Sequence, residues 1–406
     1  MPEEPAEQAR AASDSRKPRR SRRRLAMTGS AVAAGLVVLG VPAATLALSG
    51  AARGPQQPAP TNTPEQPVHI QVGRHSDIQP GGSGSPAPSG SPPAPAADYH
   101  AFISFAGAGK VAEVDTATDT IIGKPVSADT IEGVAVTPDG SQIFAAQTGQ
   151  YSVVAYHTAT KAKTTIEVGA YPQDVAIAPD GQQVYATVSG GDTGPGGSDV
   201  VAVINVATDA VATDITVGAA PRQVVFNPDG SRAYVTTENS IAVIDTATGT
   251  VIKSIRDPAG PQGIAVSPDG GTLYVTNPDA GTLLVLDAET GQLQATVTTG
   301  AEPYAVAVTP DGSTAYVADM NADSVVAVST ASYRIVATLP TGVLPGSVGV
   351  VPDGSQVWVG NVESGSVTVI DPATNTVSGT ITVAGGTGSL DAAPLSMAFI
   401  KATPAP

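Results

Sequence analysis

Beyond residue 98 the chain alternates apolar and polar positions in short runs, and each run stops at a turn. Ile241-Ala242-Val243-Ile244 ends on Asp245 and Thr246-Ala247-Thr248-Gly249, and Tyr274-Val275-Thr276-Asn277 follows Pro268-Asp269-Gly270. Short runs of period two predict strands. The turns between them predict hairpins, because proline pre-sets φ, aspartate bonds its own backbone and glycine accepts positive φ. The Pro-Asp-Gly turn recurs at 138–140, 179–181, 228–230, 268–270, 310–312 and 352–354, with steps of 41, 49, 40, 42 and 42 residues. A period near forty with one fixed turn predicts a β-propeller, each repeat a four-stranded blade.

The inner strand of each repeat precedes the turn, as at 134–136 and 306–308. The second strand carries an aromatic residue: Phe144, Tyr185, Tyr234, Tyr274, Tyr316 or Trp358. The third reads Val-x-Val-Ile-Asp, the fourth resembles 251–255, and a Gly-x-x-Pro corner (169–172, 218–221, 300–303, 342–345) returns to the axis. Six turns start six complete repeats, and the two ends hold fragments. Residues 99–127 read as second, third and fourth strands, and 394–399 as an inner strand with nothing after it. The C-terminal strand therefore completes the N-terminal blade. This predicts an all-β, seven-bladed propeller over 98–402 without exposed end strands.

Upstream the pattern changes. Residues 25–48 carry no charge, and as a helix they reach ~36 Å, enough for a hydrocarbon core of ~30 Å. Before them, residues 1–24 hold eight of the twenty Lys and Arg. This predicts a single-pass transmembrane signal anchor at 25–48, a basic cytoplasmic tail at 1–24 and an extracytoplasmic propeller. The alternative is secretion after signal cleavage: Ser21-Arg22-Arg23-Arg24-Leu25 is similar to a twin-arginine signal, and Thr45-Leu46-Ala47 suits a peptidase. Residues 49–97 read as a disordered linker, with eleven prolines in 51–97. Within it, 68–72 is a lone alternating patch, and His69 and His75 read as solvated.

Composition narrows the chemistry. Cysteine is absent, which excludes disulfides and thiolate metal sites. Only four histidines occur, so no metal or other cofactor is expected. From Asp98 onward ten basic and thirty acidic residues give 10 − 30 = −20, which argues against nucleic acid.

The literal Tyr-Val-Thr-Asn at 274–277, behind Pro-Asp-Gly and beside Val-Ile-Asp-Thr-Ala-Thr at 243–248, resembles the YVTN family of β-propeller repeats. The resemblance covers about 300 residues and implies the propeller fold. It implies no single activity, since such propellers include surface-layer proteins, binding proteins and relatives of lactonase-type enzymes.

Ligands of such folds enter the concave mouth. Residues after the Gly-x-x-Pro corners should ring it, and there the repeat is broken: Glu132, Gln173, Asp174, Arg222, Gln262 and Tyr304 are the candidate ligand-binding set. An internally satisfied Arg-carboxylate pair is the plainer reading of these charges. Leu395 and Gly346 occupy the same position elsewhere, and the inner strands are centred on small residues except at Val225. Residues 189–199 form the one long insertion; Asp192 and Asp199 could ligate calcium, but the loop departs from the calcium-loop pattern and reads as a surface insertion. His157, where other repeats have aspartate, reads as drift at a turn. No nucleophile–base set is visible. The expectation is a non-catalytic module binding a small polar ligand or a surface protein. The alternative is a lactonase-like or cyclase-like hydrolase using Glu132, Asp174 and Arg222.

Overall fold

The computed structural model describes residues 71–72, 98–127, 129–190, 199–257, 259–382 and 393–402. The expected membrane helix at 25–48, the basic tail and all but two residues of the expected linker lie outside the described residues. Among the described residues no helix is long and apolar enough to cross a membrane.

Seven antiparallel sheets form the blades of a propeller. Blade 1 combines the C-terminal strand Pro394–Lys401 with Tyr99–Phe105, Lys110–Asp115 and Thr120–Ser127. The inner strands of blades 2 to 7 are Ile131–Val136, Pro172–Ile177, Val224–Phe226, Ile264–Val266, Pro303–Val308 and Pro345–Val350. Closure by the C-terminal strand is as expected: Tyr99 pairs with Lys401, Phe102 with Ala398 and Ser104 with Ser396. Beyond it, Ala402 N donates to Asp98 O at 2.7 Å. One sheet has a fifth strand. Gln71 and Val72, read from sequence as linker, pair with Thr382 and Ile381 on the outer strand of blade 7.

The core is divided among the seven blade-to-blade interfaces. The repeated aromatic explains why. Each one belongs to its own blade's second strand but packs with the next blade. Tyr185 joins Val224 and Ala233 of blade 4, and Trp358 joins Phe105, Val114 and Phe399 of blade 1. Both aromatics are essentially inaccessible to solvent, so each interface gains a large apolar side chain.

The Pro-Asp-Gly turns lie on one face and also link blades. Their glycines are left-handed, with φ of 70–75°. The preceding blade's proline covers five of the six glycines, and Ile400 of blade 1 covers Gly140: a Cβ at Gly181 would stand 3.2 Å from Pro138, and at Gly230 3.3 Å from Pro179. The aspartates act as turn formers, as Asp229 accepts from Ser231 N at 2.9 Å.

His157 is not drift at a turn. Its Nε2 lies 2.7 Å from Asp209 Oδ2 in blade 3, and Gln142 Nε2 and Thr164 Oγ1 donate to the same carboxylate. The histidine thus joins two neighbouring blades.

Candidate functional site

The face opposite the Pro-Asp-Gly turns is concave around the axis. Here the chain enters the inner strands of blades 3, 4, 6 and 7 through the Gly-x-x-Pro corner. The residue before the proline is left-handed at Tyr171, Ala220, Glu302 and Leu344, although none is glycine. This turn swings the chain from the outer strand to the axis and sets the next residues at the mouth.

Hydroxyls of the second strands hold those residues in place. Ser104 Oγ donates to Glu132 O at 2.8 Å, Thr187 Oγ1 to Arg222 O at 2.7 Å, Thr236 Oγ1 to Gln262 O at 2.8 Å and Thr276 Oγ1 to Tyr304 O at 2.9 Å. Every one of these bonds crosses from one blade to the next. Sequence reasoning assigned no role to the threonine of the second strand. Its recurrence at 187, 236 and 276 was the available signal of a positioning role.

All six candidate residues, Glu132, Gln173, Asp174, Arg222, Gln262 and Tyr304, line one cavity of about 230 Å³. They form its polar arc, from blades 2 to 6. The rest of the lining is largely apolar, with Met320 and Val362 from the turns after the second strands and Leu395 and Met397 from blade 1. Sequence reasoning placed Leu395 at the mouth but missed Met320 and Val362, because the turns that carry them have no repeated motif.

The expectation of an internally satisfied Arg-carboxylate pair is not met. Arg222 Nη1 donates to Pro261 O at 2.8 Å, and Nε is buried without a partner. Among the described residues, the ion pairs within 4.0 Å do not include Arg222. Glu132 Oε1 is likewise buried and unpartnered. Burial pushes the Glu132 carboxyl up to about 8; the Thr148 hydroxyl offsets part of this and the charge of Asp174 adds to it. Burial also pushes Asp174 up to about 7, against hydrogen bonds from the main chain at Val224 and Val175. Near neutral pH Glu132 is therefore mostly a neutral acid and a hydrogen-bond donor. Burial raises the Tyr304 hydroxyl above the ordinary tyrosine range, so it too stays protonated.

Asp174 has a second duty. Its Oδ2 accepts from Val224 N of the next blade at 3.1 Å. Gln223 Oε1 does the same for Ile264 N at 2.7 Å, and Ser396 Oγ for Val134 N at 3.2 Å. This carboxylate is a blade tie as well as part of the cavity wall.

Of the long insertion, residues 191–198 lie outside the described residues. Asp199 braces the corner of blade 4, accepting from Ala220 N at 3.0 Å. Among the described residues no group of three or more His, Asp or Glu is placed to hold a metal ion.

Comparison with known proteins agrees with this architecture. The family model described as lactonase, seven-bladed β-propeller, matches residues 197–333. Among solved structures, hydrazine synthase of Kuenenia stuttgartiensis is similar at 24% identity and a TM-score of 0.60, over 67% of this chain and 92% of that one. A functionally unknown protein from Desulfotomaculum acetoxidans DSM 771 is similar at 16% identity and a TM-score of 0.62, over 75% and 99%. At these identities the likeness is one of fold. No curated protein sequence matches the chain.

Proposed function

We propose that this lactonase-like seven-bladed propeller is a non-catalytic binding module that takes a small polar ligand in its axial funnel, exported and held at the cell membrane by its N-terminal segment. One observation carries the reading of the funnel. Arg222 Nε and Glu132 Oε1, two buried polar atoms of the same cavity lining, have no hydrogen-bond partner among the described residues. Buried polar groups are costly to leave unpaired, so a cavity wall holding two of them is suited to a ligand that completes them. The lining holds no histidine, lysine or cysteine that would supply a ready base or nucleophile. The charge-free stretch at 25–48 behind its basic run supports the anchor. Protease protection of the N-terminal residues in whole cells, with the propeller digestible, tests that placement; a propeller found wholly in the medium favours cleavage and secretion.

The match to the lactonase family model favours a second reading, hydrolysis of a lactone. It spans Arg222, Gln262 and Tyr304 but leaves out Glu132 and Asp174. In this reading Arg222 steadies the carbonyl oxygen while the Asp174 carboxylate takes a proton from the water that adds to the carbonyl carbon. The neutral Glu132 carboxyl then protonates the ring oxygen as the ring opens. A thermal-shift screen of small polar compounds and a lactone turnover panel separate the two readings. Stabilisation lost in Arg222→Gln without turnover supports binding alone. Turnover lost in Glu132→Gln supports the hydrolase. Neither response from a folded chain overturns the funnel as a small-molecule site and leaves a surface protein as the partner.

A further inference from the structure

The two arcs of the cavity differ in chemistry, and together they narrow its occupant. We propose that the funnel binds a small monocarboxylate with a hydrocarbon body, its carboxylate on Arg222 and its carbon chain on the wall formed by Met320, Val362, Leu395 and Met397. This rests on the funnel being a ligand site, as proposed above, and adds the chemical class.

The polar end follows from Arg222, the one cationic side chain in the lining. Its bond to Pro261 O fixes part of the guanidinium, and the buried Nε remains unpartnered. A carboxylate matches a guanidinium in plane and charge, and desolvation strengthens such a contact. The Glu132 carboxyl shares the polar arc, with Oε1 unpartnered, and as a neutral acid it can donate to an anion. A phosphate dianion would bring two charges to one guanidinium on an arc that also carries Asp174.

The apolar end follows from Gly346. Blades 3, 5 and 6 present Gln173, Gln262 and Tyr304 at this corner position, but blade 7 presents no side chain. Val362 and Met320 fill the space: a Cβ at Gly346 would stand 2.7 Å from Val362 Cγ2 and 3.4 Å from Met320 Cε. Leu395 and Met397 continue the surface on blade 1. A sugar would lose hydration along this wall and gain no hydrogen bonds from these side chains, whereas a hydrocarbon chain gains by burial. At about 230 Å³ the cavity falls below the ~300–1,000 Å³ of drug-sized sites, which suits an acid of a few carbons.

Calorimetric titration of the full chain with acetate, butanoate, hexanoate, inorganic phosphate and glucose tests the class. Affinity should rise by up to about fourfold for each methylene added from acetate to hexanoate. Arg222→Gln should weaken every carboxylate by about tenfold or more. Val362→Asn should weaken hexanoate and leave acetate unchanged, a split that general damage to the fold would not produce; melting curves establish that each variant is folded. Phosphate or glucose binding as well as hexanoate, or hexanoate no tighter than acetate, overturns the class and keeps the funnel as a site. Silence from all five probes at millimolar concentration also overturns the class, while the broader reading stands or falls on the compound screen.

Discussion

Thr276 Oγ1 donates a 2.9 Å hydrogen bond to the main-chain carbonyl of Tyr304, so the threonine of Tyr-Val-Thr-Asn in blade 5 sets the backbone of a cavity residue in blade 6. The same oxygen accepts from Gly263 N at 2.8 Å. Thr276→Val keeps the shape and strands both partners in a buried place. It should cost about 1–3 kcal/mol. Chemical denaturation should register this loss, and ligand affinity at the funnel should fall with it.

Asp319→Asn should stabilise the fold. Among the described residues neither buried Asp319 carboxylate oxygen has a hydrogen-bond partner within 3.5 Å, and burial pushes the group up to about 6, with the Thr299 hydroxyl nearby offsetting part of this. At the matching position of blade 7, Asn361 donates to Ser366 Oγ at 3.1 Å and Thr368 Oγ1 at 3.0 Å. The wild-type acid is neutral and harmless at low pH, and its stability contribution is lost as pH rises through 6. The gain from asparagine should therefore be small at pH 4.5 and reach about 1 kcal/mol or more at pH 8. Melting temperatures across that range check the sign.

Glu132 sets a second pH dependence in the same direction. Its native value near 8 lies above the ordinary 4.5, so its contribution is complete below 4.5 and is lost as pH rises through 8. Glu132→Gln removes the titration. The melting temperature of the wild type should fall relative to the variant between pH 5 and pH 9, by a few degrees. Parallel curves for the two proteins would contradict an uncharged Glu132.

Removing residues 391–406 should disrupt more than one blade. Pro394–Lys401 is the inner strand of blade 1, and Phe399 packs edge-on to Trp358 of blade 7 with ring centroids 5.7 Å apart. The truncated chain exposes the Tyr99–Phe105 edge on the axis and opens a core cluster. Its transition should drop by roughly ten degrees or more, or lose cooperativity. A truncation that melts like the full chain would contradict ring closure.

The fold was legible because one solution is written several times. Pro268-Asp269-Gly270 and its copies mark period and turn, and the unmatched ends at 99–127 and 394–399 fix closure. The polar arc was legible for the opposite reason: Glu132, Arg222 and Tyr304 vary at a position where the rest repeats. What escaped notice depends on contacts between blades. Nothing local shows that Thr187 reaches the carbonyl of Arg222, 35 residues on, or that His157 meets Asp209. Val362 and Met320 become a wall only because Gly346, in an adjacent strand, leaves room for them.

The bond between Ala402 N and Asp98 O places both ends of the ring together, at the Pro-Asp-Gly face. That gives the propeller a direction. Residues 98 and 402 leave the ring on this face, and the mouth with Arg222 opens on the other. A chain permuted to begin at a Pro-Asp-Gly turn would therefore keep both of its ends on the face away from the mouth.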